Sequence, residues 1–160
     1  MWIVIDCNVL VDGSGQGVPE HRASSYELLE SLINRNEFVL AVDPKGKIRQ
    51  QYDNRIAFPM HAHNWLLRLL PHRIRVVPQT RIPKAVLVQL REVHFDQKDI
   101  PLVEAACGSE RTIVTRDFNS FTKRVQTILR QELGVRVLSS KQMLDDLAVL
   151  DARNQESQEG

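Results

Sequence analysis

The chain has 160 residues, of which 42% are hydrophobic and 26% are charged, and 21 basic residues nearly balance 20 acidic ones. This composition is typical of one globular domain and excludes a fibrous repeat, a disordered chain and a multidomain assembly. The net charge of +1 does not by itself point to a polyanionic partner.

The amino-terminal half predicts two strands and three helices. Residues 2–5 are a short β-branched run typical of a strand buried on both faces. After the glycine-rich segment 13–17, apolar residues recur at helical spacing up to residue 33, with Pro19 near the start of that helix. The following segments are a strand at 38–42, a helix at about 48–56 and a helix at 61–70 that Pro71 ends.

The carboxyl-terminal half continues the alternation. Its predicted strands are 74–77, 112–115 and 135–138, and its predicted helices are 85–93, 100–107, 122–133 and 141–150. Short strands that alternate with helices favour an α/β fold, a three-layer α/β/α sandwich around a parallel sheet of four to five strands. We therefore expect one domain over residues 1–150 and a disordered tail over residues 151–160, which has almost nothing apolar to bury.

Cysteine usage and hydropathy indicate the compartment. Cys7 and Cys107 lie a hundred residues apart, without the spacing of a disulfide framework or a zinc site, so we expect two reduced thiols. No apolar run approaches the roughly 20 residues of a membrane helix, and the first apolar run is too short for a signal peptide. These features predict a soluble cytoplasmic protein that does not act in a membrane.

Aspartates follow the predicted strands at the edge where parallel sheets bind ligands. Asp6 comes directly after the first strand, Asp117 follows the strand at 112–115, and Asp96 and Asp99 lead into the preceding helix. Crowded carboxylates either take up protons or are neutralised by a divalent cation. Oxygen ligands favour Mg²⁺ or Mn²⁺, ions that activate water for phosphodiester hydrolysis. The competing interpretation is that each aspartate only caps a helix or solvates a turn, and for Asp96 we favour the cap.

Three segments in this order resemble the PIN-domain ribonucleases. They are VIDCNVL at 4–10, DIPLVEAA at 99–106 and IVTRDFN at 113–119, and the resemblance covers about residues 1–145. It implies a PIN-like, Rossmann-like fold, RNA as the substrate and dependence on Mg²⁺ or Mn²⁺. It further implies the toxin of a toxin–antitoxin or defence system, hence a protein inhibitor as partner, and a homodimer is a further expectation.

The resemblance also assigns roles to individual residues. Asp6, Asp99 and Asp117 would be the metal-coordinating catalytic acids. The groups expected beside these acids or against the substrate are Asn8, Thr115, Asp96 and Asn119. The family usually carries a further acid after strand two, where this chain has Gln51. A neutral amide removes one negative charge, so we expect Gln51 to face the acids and Gln51→Glu to strengthen metal binding.

Residues 43–91 carry ten basic residues and only two acidic ones, a balance of +8. Four of these cations, expected beside the cleft, are predicted to hold RNA phosphates: Lys45, Lys47, Arg49 and Arg55.

Two alternatives to the ribonuclease stay open. The first is a catalytically silent PIN-like module that binds nucleic acid or acts as a scaffold, and the second is a small-molecule phosphatase or nucleotide-binding protein with Asp6 as nucleophile.

Overall fold

A computed structural model describes residues 1–159, with side chains through residue 157. Its strands are β1 (Trp2–Ile5), β2 (Val39–Val42), β3 (Ile74–Val76), β4 (Thr112–Val114) and β5 (Arg136–Leu138). Its helices are α1 (Cys7–Gly13), α2 (Pro19–Ile33), α3 (Lys47–Arg55), α4 (His61–Leu69), α5 (Lys84–Glu92), α6 (Ile100–Cys107), α7 (Lys123–Leu133) and α8 (Ser140–Glu159). A 3₁₀ turn, Gln97–Asp99, precedes α6.

The five strands form one parallel sheet in the order β3-β2-β1-β4-β5. Helix α2 packs against α1, α4 and α8, whereas α6 packs across β1, β2 and β4 and α5 packs against α7. The predicted three-layer α/β/α sandwich with a parallel sheet is therefore confirmed. No helix in the described part of the chain is both long and apolar enough to cross a membrane.

The position of each strand in the sheet explains its composition. Ile3, Val4 and Ile5 are all buried because β1 is the central strand and has helices on both faces. By contrast, β3 lies at an edge, and Val76 on it is 60% exposed. Trp65 of α4 is a core residue, and its indole Nε1 donates to the Leu29 carbonyl at 2.7 Å.

The structure differs from the predicted elements at two places. Helix α1 starts directly after Asp6, where β-branched Val9 and Val11 obscured the helical pattern. The expected disordered tail from residue 151 is instead a continuation of α8 to Glu159. Buried Leu147 holds this helix against the domain, Asp151 forms an ion pair with Arg35, and the residues beyond are mostly good helix formers.

Candidate active site

Asp6 lies at the carboxyl end of the central strand and is almost completely buried. Its backbone N–H donates to the Val114 carbonyl at 2.9 Å, which ties the end of β1 to the end of β4. Its carboxylate oxygen Oδ2 accepts hydrogen bonds from Asn8 Nδ2 at 2.7 Å and Thr115 Oγ1 at 2.8 Å. Both predicted neighbours of Asp6 therefore contact it directly, and they hold one of its two oxygens.

A continuous chain of hydrogen bonds connects Asp6 to the other two predicted acids. Thr115 Oγ1 accepts from the backbone N–H of Asp117 at 3.0 Å. Asp117 Oδ1 accepts from the backbone N–H of Ser120 at 3.1 Å, and Ser120 Oγ donates to Asp99 Oδ2 at 2.6 Å. The structure thus brings Asp6, Asp99 and Asp117 to one edge of the sheet, and we call these three residues the acidic site.

The carboxyl groups of the acidic site interact through their charges. Burial raises the pKa of Asp6, and the negative charge of Asp117 raises it further, against the hydrogen bond from Thr115. Burial raises the pKa of Asp99 to about 6, and the charge of Asp6 adds to this effect against the Ser120 hydroxyl. Two buried carboxyl groups whose charged forms are disfavoured either take up protons or require a positive charge from outside the chain.

Helix α3 lies next to the acidic site. The Cys7 thiol, one residue after Asp6, donates to the backbone carbonyl of Gln51 at 3.5 Å. The pKa of Asp6 is raised overall, but the positive charge of Arg55 opposes this rise. Arg55 therefore lies within electrostatic range of the Asp6 carboxylate. Residues four apart share a helix face, so Gln51 and Arg55 lie on the same face of α3.

Two further predicted residues have different surroundings. Asp96 Oδ1 accepts from the backbone N–H of Lys98 at 3.0 Å and caps the 3₁₀ turn, which confirms the favoured interpretation of that aspartate. This bond, together with the Lys98 side chain, lowers the pKa of Asp96. Asn119 is exposed in the loop after Asp117, and its side chain makes no hydrogen bond within the described residues.

The four cations predicted to hold phosphates are divided among three surroundings. Lys45 and Lys47 line a groove of about 820 Å³ that also contains residues of the β3–α5 loop, α5 and α6. Arg49 lies in a depression between α3 and α4, together with Asp53, and Arg55 lies near Asp6.

Sequence reasoning missed an ion pair between the fully buried Asp12 and the partly buried Arg116, which stands next to Asp117 in the chain. Arg116, between Thr115 and Asp117, places its Nε 2.6 Å from Asp12 Oδ2, and Asp12 is fully buried in α1. Asp12 Oδ1 accepts from the backbone N–H of Val18 at 2.9 Å. A Cβ on Gly17 would stand 1.6 Å from that same oxygen, so the glycine-rich segment passes too closely for any side chain there.

Ser120 was also missed, although its spacing carries a signal. It stands three residues after Asp117, the separation at which an aspartate side chain accepts from a backbone N–H. That local bond fixes Ser120 so that its hydroxyl reaches Asp99, 21 residues earlier in the chain. The contact with Asp99 depends on the tertiary structure, so the sequence pattern alone indicates a turn and no second partner.

The donor atoms of the acidic site suit a hard divalent cation. Within the described residues, each of the three carboxylates uses one oxygen in hydrogen bonds and leaves the other without a hydrogen-bond donor. Carboxylate oxygens are the ligands that Mg²⁺ and Mn²⁺ prefer. As they stand, however, no three histidine, cysteine, aspartate or glutamate side chains of residues 1–157 are close enough together to surround one ion.

Comparison with known proteins adds no assignment. No protein-family model matches the chain, and no curated protein matches it. The resemblance to PIN-domain ribonucleases therefore stays a prediction from the three sequence segments.

Proposed function

We propose that the protein is a metal-dependent ribonuclease whose acids are Asp6, Asp99 and Asp117. The observation that carries this proposal is the hydrogen-bonded connection of three carboxylates from distant parts of the chain at the carboxyl edge of a parallel sheet. Isolated helix caps would not require this connection, and no cation pairs with any of the three carboxylates within 4.0 Å among residues 1–157.

The residues of the chain have separate tasks in this proposal. Asp6, Asp99 and Asp117 would hold Mg²⁺ or Mn²⁺ through the oxygens that protein donors leave free. Asn8, Thr115 and Ser120 orient the carboxylates through the opposite oxygens. A bound Mg²⁺ or Mn²⁺ supplies a water of lowered pKa and offsets the charge of a phosphodiester. RNA as the substrate, an inhibitory protein partner, a homodimer and a cytoplasmic location rest on the sequence-based expectations.

Gln51 tests how much charge the site requires. In this proposal Gln51 faces the acids from α3, one turn before Arg55, whose positive charge acts on Asp6. Replacement by glutamate adds a fourth carboxylate and strengthens Mn²⁺ binding because each added anionic ligand increases the attraction for a hard cation. Calorimetric titration with Mn²⁺ measures this effect, and an unchanged dissociation constant contradicts the placement of the Gln51 side chain.

The proposed activity is tested by cleavage of end-labelled single-stranded RNA and DNA with Mn²⁺, Mg²⁺ or a chelator. We expect wild-type protein to cut RNA only with metal, and Asp117→Asn to slow cutting by roughly a hundredfold or more, since metal-derived charge stabilisation is worth several kcal/mol. Asp53→Asn is the matched control, because Asp53 is an exposed aspartate of α3 on the side of Arg49. Equal cutting by wild type and Asp117→Asn would overturn the assignment.

A silent nucleic-acid-binding module is the second candidate, and two observations favour it. Gln51 replaces an acid that the resemblance implies, and the described carboxylates do not surround a common point. The cleavage assay separates the candidates when Gln51→Glu is included. Absence of cutting by both proteins, together with retained RNA binding, identifies the module. Cutting by Gln51→Glu alone identifies a site that one missing charge has silenced.

A further inference from the structure

One groove of the described surface carries a strong excess of positive charge. Its cations are Lys45, Lys47, Arg81, Lys84 and Arg91, and its single acidic lining residue is Glu104. We call this groove, defined by these five cations, the basic groove. Its volume of about 820 Å³ lies within the range of typical ligand sites.

Most of these cations have no carboxylate partner. Lys45 lies 3.6 Å from Glu104 and is partly neutralised. Within the described residues, the other four form no ion pair, and all four are exposed to solvent. Exposed basic residues are commonly balanced by acidic neighbours, so four unpaired cations along one groove indicate an anionic ligand from outside the chain.

The two walls of the groove come from different parts of the fold. Lys45 and Lys47 follow the carboxyl end of β2, whereas Arg81 and Lys84 follow the carboxyl end of β3. The groove therefore opens at the same edge of the sheet as Asp6 and Asp117. Its wall on the 3₁₀ turn and α6 consists of Gln97, Ile100, Pro101 and Glu104; Asp99 is next to these residues in the chain but is not part of the lining.

The rest of the lining indicates what the ligand presents to the protein. The apolar part consists of aliphatic and proline side chains, Ile82, Pro83, Leu87, Ile100 and Pro101, and the groove contains no aromatic ring among its described lining residues. Aromatic side chains are what proteins use to stack on unpaired bases. A groove of cations without aromatic rings is suited to the phosphates of a chain and reads little base sequence.

We infer that the basic groove binds the phosphodiester backbone of one nucleic-acid strand at the sheet edge that also carries the acidic site. This inference rests on the proposed function, because the strand bound in the groove is the one presented to the acidic site. It changes the predicted set of phosphate contacts: Lys45 and Lys47 remain, Arg81, Lys84 and Arg91 join them, and Arg49 belongs to another surface.

The test measures binding without cleavage. Fluorescein-labelled RNA and DNA oligonucleotides of the same mixed sequence are titrated with full-length protein in chelator, at 50 and 200 mM salt, and followed by fluorescence anisotropy. The test variant is Arg81→Ala/Lys84→Ala. The matched control is Arg68→Ala/Arg130→Ala, which also removes two exposed positive charges. These arginines lie in the last turns of α4 and α7. Those turns lead into β3 and β5 and so lie at the amino-terminal edge of the sheet, opposite the groove.

We expect the test variant to weaken RNA and DNA binding roughly tenfold at 50 mM salt. The logarithmic salt slope should become less steep by about 1.4, because each lost phosphate contact on a single strand removes about 0.7. The control variant should stay within about twofold of wild type. RNA and DNA should bind alike, since the proposed contacts are to phosphate. Equal losses in both variants, no loss in the test variant, or binding limited to RNA or to DNA would overturn the inference.

The two proposals fail in different ways. Wild-type binding that depends on Arg81 and Lys84, with no cleavage in Mn²⁺, supports the groove and contradicts the nuclease. Metal-dependent cleavage with unchanged binding by Arg81→Ala/Lys84→Ala supports the nuclease and contradicts the groove. Thermal melting of each variant confirms that the fold is intact, which we expect because both substituted residues are exposed.

Discussion

The acidic site and the basic groove lie at the same edge of one sheet, yet they hold their charges in opposite ways. Asp6 and Asp99 are buried, have short side chains, and are each fixed by hydrogen bonds from the protein. The cations of the basic groove have long, solvated side chains without fixed partners, apart from Lys45. Buried carboxylates cost stability, whereas exposed lysines and arginines cost little.

The two regions therefore suit different tasks. A site that acts on a bond needs its groups positioned before the ligand arrives, so rigid strand ends and buried hydrogen bonds suit it. A surface that attracts a flexible polyanion needs charge more than position, and mobile side chains supply it. Three substitutions test how the acidic site and its surroundings hold their charges.

The largest expected effect on stability comes from breaking the ion pair between Asp12 and Arg116. Asp12→Asn keeps an acceptor for the Val18 N–H but leaves Arg116 without its counterion. We expect the free energy of unfolding to fall by about 2 kcal/mol, less than for a fully buried pair, because Arg116 is 26% exposed and water compensates part of the charge left unpaired. Urea denaturation measures this. The control is Asp146→Asn, which breaks an exposed pair with Arg136 and should cost less than about 1 kcal/mol. Equal losses would mean that burial of Asp12 does not add to the cost of breaking its pair.

The second prediction uses the opposite pKa shifts of Asp99 and Asp96. Because the folded pKa of Asp99 is about 6 against an ordinary 3.8, wild-type stability falls as pH rises through this window. Asp99→Asn removes that loss, and it should raise the melting temperature by roughly 3 °C at pH 8 and by nothing near pH 3. Its amide oxygen can still accept from Ser120.

Asp96→Asn is the control with the opposite sign. The pKa of Asp96 is lowered, so this carboxylate stabilises the folded protein above its unfolded pKa and loses that contribution in acid. The substitution should therefore lower the melting temperature at neutral pH and have no effect in strong acid. A pH-independent gain from Asp99→Asn would show that the buried charge of Asp99 is not the cause.

The smallest expected effect concerns the hydroxyl that holds Asp99. Ser120→Ala removes a donor to the charged form of Asp99, so the pKa of Asp99 should rise further above 6, by roughly half a unit to one unit. Carbon-detected NMR titration of the Asp99 carboxyl measures this shift. Ser109→Ala is matched to it, because the Ser109 hydroxyl donates to helix carbonyls of α6 and touches no carboxylate. A shift of the same size in Ser109→Ala would refute a direct role for Ser120.

Local patterns were sufficient to predict much of the fold. Consecutive apolar residues such as Ile3, Val4 and Ile5 identify a central strand because a strand with helices on both faces has no polar side. Helix α1 was not predicted because its β-branched residues also suit a strand. The helical end of α8 was not predicted because a polar helix anchored by Asp151 has no apolar stripe to detect.

The acidic site was predictable in its members and not in its connections. Asp6 and Asp117 each follow a strand, and the end of a parallel strand is a known position for ligand-binding residues. Ser120 and the pairing of Asp12 with Arg116 depend on contacts between residues 21 and 104 positions apart, respectively. No periodicity in the sequence records such contacts.

Strand and helix periods and strand ends are local properties of the chain, so the sequence alone predicts the parallel α/β architecture and carboxylates at the carboxyl edge of its sheet. Which groups meet depends on tertiary packing. The desolvation that raises the pKa of Asp99 comes from packing, and the basic groove exists because the loops after β2 and β3 face each other across α6. Burial and the convergence of loops are properties of the folded chain, and they turn separate charged residues into an acidic site beside a basic groove.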